Sequence, residues 1–89
     1  MKLKENFITH SSIDGTILLA TGEEANNFHG IVKLNDSAAF IVELLKTETT
    51  KENLLIEFQN EYPTVDKEEL SKDLENVLSQ LNSIHAITK

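Results

Sequence analysis

The sequence contains no cysteine and no arginine. Without cysteine, disulfides and thiolate metal sites are excluded. Without arginine, the side chain best suited to grip guanine or phosphate through two parallel hydrogen bonds is missing. Eight lysines face fifteen acids, giving a formal net charge of −7. A nucleic-acid binder needs a basic stripe to displace counterions from phosphates, so neither nucleic acid nor an anionic membrane surface is an expected partner. A neutral or cationic peptide is electrostatically easier. No apolar run approaches the ~18 residues that span a bilayer, and the opening MKLKENF lacks the apolar stretch of a signal peptide. Cytoplasmic residence is the default expectation.

Signs of catalysis are equally scarce. The three glycines stand at 15, 22 and 30, too scattered to write a phosphate-cradling loop. His10, His29 and His85 are far apart and show no paired spacing, whereas a metal site needs three or four converging ligands. The serines lack a flanking nucleophile motif. Adjacent carboxylates such as Glu23-Glu24 and Glu68-Glu69 read as solubility and helix-dipole features. The sequence therefore predicts a non-enzymatic protein with no cofactor and no metal.

What is present is a globular composition, 39% hydrophobic and 26% charged over 89 residues. That length holds one core, so residues 1–89 are read as a single domain. Phe7 to Ile13 is rich in β-branched and aromatic residues. Asp14-Gly15 then predicts a two-residue type I′ turn, with Thr16 to Ala20 as the returning strand. Thr21 to Asn27 reads as a polar loop or short helical turn. Phe28 to Leu34 is a third strand, with Phe28, Gly30, Val32 and Leu34 on one face and His29, Ile31 and Lys33 on the other.

Helical periodicity follows. Asn35, Asp36 and Ser37 are candidate N-caps for a first helix with an apolar stripe of Phe40, Ile41, Leu44 and Leu45. Thr49 and Glu52 fit a capping box for a second helix, which buries Leu54, Leu55, Phe58 and Tyr62 and stops at Pro63. Asp66 and Glu69 fit another box, with Val65 and Leu70 as a hydrophobic staple. Leu70, Leu74, Val77, Leu78, Leu81 and Ile84 then mark about four turns of amphipathic helix. Ile84 to Ile87 is expected to tuck against the core, and Thr88-Lys89 to fray. The fold class is α+β: a three-stranded antiparallel sheet followed by three helices, a winged helix-turn-helix. The helix-turn-helix shape invites a DNA-binding reading. However, the third helix carries Glu68, Glu69, Asp73 and Glu75 against Lys67 and Lys72, and those carboxylates would repel phosphates.

One stretch, Ile31-Val32-Lys33-Leu34-Asn35-Asp36-Ser37-Ala38-Ala39-Phe40-Ile41-Val42-Glu43-Leu44-Leu45, resembles the PqqD-like family, in which a strand ending Leu-Asn runs into a small-residue helix start and a Leu-Leu segment. Thr21-Gly22-Glu23-Glu24-Ala25, Thr49-Thr50, Tyr62 and Asp73-Leu74-x-x-Val77-Leu78-x-x-Leu81 fit the same pattern, so the resemblance spans roughly residues 6 to 87. Departures are Ser37-Ala38 for the usual Thr-Gly, Val42 for a common Trp and Ala86-Ile87 for a closing Gly-Leu. The resemblance implies a recognition element that binds the leader of a ribosomally made precursor peptide. Such proteins present the leader to a modifying enzyme, often a radical S-adenosylmethionine protein. It also implies that the leader adds as a strand beside the third strand, in the groove formed with the third helix.

Those expectations can be written as residues. A strand edge offers unpaired N–H and C=O groups that an extended peptide satisfies. Gly30, Ile31, Val32 and Lys33 are the edge candidates, with Gly30 allowing close backbone approach. Leu70, Asp73, Leu74 and Val77 are the candidates for the helical wall; because an apolar helix stripe is more often core, Leu74, Leu78 and Leu81 are read first as core, and Leu70 and Val77, at the stripe's edge, as the better groove residues. The open edge also admits a second copy, which makes a homodimer a further expectation. A protein-interaction domain that contacts its partner through the third helix is the alternative function.

Overall fold

The computed structural model describes residues 1–21 and 31–88. Strand β1 (Lys2–Leu3) is followed by a meander of β2 (Phe7–Ser12), β3 (Gly15–Ala20) and β4 (Ile31–Leu34). Helices α1 (Asp36–Leu44), α2 (Lys51–Glu61) and α3 (Lys67–Ser83) come next, and β5 (Ile87–Thr88) closes the chain. The three-stranded sheet is antiparallel in the order β2-β3-β4, with the helices after it, an α+β architecture as the sequence predicts. The part of the expected third strand at 28–30, Gly30 included, lies outside the described residues. Among the described residues no helix is long and apolar enough to cross a membrane.

Sheet register follows the period-two pattern. Phe7 pairs with Ala20 and Ser12 with Gly15, while Thr16 to Leu19 pair with Leu34 to Ile31. Phe7, Leu18, Ala20, Val32 and Leu34 face the core. The opposite face carries two cross-strand rows, Ile8–Leu19–Ile31 and His10–Ile17–Lys33, as the register requires. The hairpin turn sits one residue earlier than expected. Ile13 and Asp14 form the loop, and neither has positive φ; that conformation falls on Gly15, at φ 119°. The loop is therefore not a type I′ turn, which needs positive φ at both central residues, and β-branched Ile13 disfavours that conformation.

Each helix begins differently. Asn35 caps α1: its Oδ1 accepts from the Ala38 N–H at 2.8 Å and from the Ser37 hydroxyl at 3.0 Å. For α2 the cap is Thr50, whose Oγ1 accepts from the Asn53 N–H at 3.1 Å. The expected Thr49 cap is displaced because the Thr49 N–H instead donates to the Met1 carbonyl at 2.9 Å. Asp66 precedes α3 without any side-chain cap bond, so the Asp66–Glu69 box does not form.

The end of α3 explains a feature the sequence did not reveal. The Ala86 N–H donates to the Leu81 carbonyl at 2.8 Å and the His85 N–H to the Asn82 carbonyl at 3.0 Å. This is a Schellman closure with His85 at φ 58°, a position glycine usually fills. It turns the chain so that Ile87 and Thr88 pair with Leu3 and Lys2 in a two-stranded sheet, so Thr88 does not fray as expected, while Lys89 lies outside the described residues. The Leu3 N–H also donates to the Leu45 carbonyl at 2.7 Å, tying this strap to the end of α1.

Leu18, Ile41, Val42, Leu45, Leu54, Phe58 and Leu74 are fully buried and join sheet to helices. Burying each such side chain contributes about 1.5–3 kcal/mol. Phe40, Phe58 and Tyr62 stack and edge together at 5.4–6.3 Å between ring centroids, locking α1 to α2. Among the described residues no polar side chain is buried.

Candidate functional site

A four-residue strand at the sheet border leaves half its backbone groups pointing outward. In an antiparallel ladder alternate residues turn both N–H and C=O away from the neighbour, so β4 offers about two donors and two acceptors at its free edge. Among the described residues, no backbone group of Ile31–Leu34 has a partner outside the ladder with β3. The edge is open.

Helix α3 stands beside it. Leu70, Leu74, Leu78 and Leu81 point into the core. Helical geometry then places Asp73, Asn76, Val77 and Gln80, at i, i+3, i+4 and i+7, together on the adjacent face. These four residues form one wall of an open cleft of about 670 Å³. Lys33 and Leu34 border it from β4, Asn35, Ser37 and Ala38 from the cap and start of α1, and the β2–β3 turn closes one end. Asn35 is already committed as the α1 cap, but among the described residues the side chains of Asp73, Asn76 and Gln80 make no hydrogen bond or ion pair. The wall therefore presents one carboxylate, two amides and the Val77 methyls to an occupant, with unused donors and acceptors.

The sequence-nominated residues separate on this geometry. Lys33, Asp73 and Val77 line the cleft, and Ile31 and Val32 lie on the same edge strand. Ile31 is 61% exposed, on the sheet face away from the helices, whereas Val32 packs against the core. Leu70 and Leu74 are only 2% and 1% exposed and do not line the cleft. Asn76 and Gln80 were not nominated, although their spacing from Asp73 and Val77 carries the signal. A second groove of about 490 Å³ borders the other sheet edge, β2, between Thr9, Ser11, Phe40, Glu43, Glu61 and Tyr62. Among the described residues no group of histidines and carboxylates is placed to hold a metal ion.

The fold recurs in solved structures. TbiB1 in complex with the TbiA(beta) leader peptide is 21% identical, with a TM-score of 0.77 over 97% of this chain and 93% of that one. Lasso peptide synthetase B1 complexed with the leader peptide is also 21% identical, with a TM-score of 0.69 over 92% of this chain and 89% of that one. No curated protein matches the sequence. The family model for coenzyme PQQ synthesis protein D matches residues 15–87, from the start of β3 into β5. The chain belongs to the PqqD family.

Proposed function

We propose that this domain, residues 1–89, binds the leader of a ribosomally made precursor peptide as an added strand on β4 and presents it to a modifying enzyme. A radical S-adenosylmethionine enzyme of the cytoplasm is the expected partner, and the domain itself performs no chemistry. The observation that carries the reading is the free β4 edge bordering the cleft walled by α3. Main-chain bonds to the edge supply affinity, and the cleft selects alternate side chains. Membership in the PqqD family and likeness to two leader-peptide complexes support it.

The β4 edge serves equally as a template for a second copy, so peptide addition and homodimer formation compete for it. The test is reconstitution with a precursor and a modifying enzyme encoded beside this gene. Modification of the precursor should accelerate when the domain is added, and a leader-deleted precursor should lose that gain. Equal rates with and without the domain, or a leader that fails to dissociate a β4-paired dimer in sedimentation, would refute the proposal.

A further inference from the structure

The face of the sheet turned away from the helices carries two cross-strand rows, of which only Ile17 and Lys33 also border the cleft. Its first row, Ile8–Leu19–Ile31, is aliphatic across all three strands and ends at the free edge on Ile31, 61% exposed. Its second row, His10–Ile17–Lys33, ends at the same edge on Lys33, an exposed ammonium with no ion pair among the described residues. Two residues apart on one strand, Ile31 and Lys33 share this face, and each meets the residue directly opposite on any added strand.

We propose that β4 reads its occupant from this outer face as acid–x–aliphatic in N-to-C order, a carboxylate opposite Lys33 and an aliphatic side chain opposite Ile31. The inference rests on strand addition at β4 and specifies the peptide that the edge accepts. Opposite charges directly across two strands attract, and like charges repel. An aliphatic residue opposite Ile31 extends the Ile8–Leu19–Ile31 row by one strand and covers its exposed end. The order follows from direction. Both pairs in the sheet are antiparallel, and antiparallel continuation is the more stable pairing. Because β4 runs from Ile31 to Lys33, the antiparallel partner meets Lys33 first. The middle residue of the triplet lies opposite Val32, on the helix side of the sheet. A chain of net charge −7 repels acidic peptides in general, so an acid preference confined to one register position is not a consequence of overall charge.

The experiment is selection of a random twelve-residue peptide library displayed on phage, run in parallel on the wild-type domain and on Lys33→Glu. Lys33 is exposed and Lys33→Glu removes no packing, which an unchanged amide spectrum away from β4 verifies. Wild type should enrich acid–x–aliphatic triplets and Lys33→Glu should enrich base–x–aliphatic ones. Single synthetic peptides should change affinity by about two- to tenfold between the two proteins. Peptides that perturb the amides of residues 31–34 but show no charge switch would overturn this inference and leave strand addition standing. Aliphatic–x–acid consensus would overturn the antiparallel order. Peptides that leave residues 31–34 unperturbed, or no enrichment on either protein, would overturn both strand addition at β4 and the inference built on it.

Discussion

Leu74 and Val77 lie one helical turn apart on α3, yet they face different surroundings, and truncating each to alanine should separate folding from binding. Leu74 is 1% exposed within the core, while Val77 lines the cleft. Leu74→Ala leaves a cavity where the surrounding sheet and helices cannot fully collapse, a loss of about 3–5 kcal/mol. A domain of this length has a total stability of only about 4–13 kcal/mol. The melting temperature should therefore fall by about 12–40 °C. Val77→Ala removes two methyls from a half-buried position and should cost about 1 kcal/mol or less. Its principal effect should be on a bound leader peptide, weakening affinity by about two- to fivefold. Thermal denaturation by circular dichroism and fluorescence anisotropy with a labelled leader peptide read the two effects separately. If Leu74→Ala melted within about 2 °C of wild type and abolished binding, Leu74 would face the peptide and α3 would be rotated about its axis relative to β4.

Three further outcomes follow from the geometry. His85→Gly should raise stability by about 0.5–1 kcal/mol, because glycine relieves the left-handed position at φ 58° at a modest entropic cost; chemical denaturation measures it, and a loss of stability would contradict the Schellman closure. Thr50→Ala should cost about 1 kcal/mol, whereas Asp66→Ala, which removes no cap bond, should cost only a few tenths, again by denaturant midpoint. N-methylation of a bound leader at alternate residues should weaken binding by about two- to tenfold per site through lost edge bonds, while methylation at the intervening residues should be close to neutral; a uniform response along the peptide would argue against strand pairing.

Much of the fold was legible because periodicity is a direct consequence of backbone geometry. Phe7, Leu18 and Val32 alternate with outward residues as strands require, and Leu70, Leu74, Leu78 and Leu81 trace one helical stripe. Features set by distant parts of the chain were not legible. Thr49 loses its role as a cap because Met1 takes its N–H, and Thr88 is held because Lys2 lies opposite. His85 in a left-handed turn carries no sequence signal, since glycine is the residue that normally marks such a position. In the site, an apolar stripe reads the same whether it faces core or groove. Leu70, at the stripe's edge, therefore reads as a groove residue although it is buried, and Leu74 reads both ways, while the polar Asn76 and Gln80 beside Asp73 carry no apolar signal. Helix-angle bookkeeping relative to the buried stripe would have found them.

The most direct test is an amide-resolved titration of the isotopically labelled domain with a leader peptide, followed by hydrogen exchange of the complex. Strand addition at β4 requires shifts at residues 31–34 and at 73, 76, 77 and 80, with slowed exchange at alternate β4 amides. Shifts confined to Thr9, Ser11, Phe40 and Tyr62 would move the peptide to the β2 groove and contradict the β4 site.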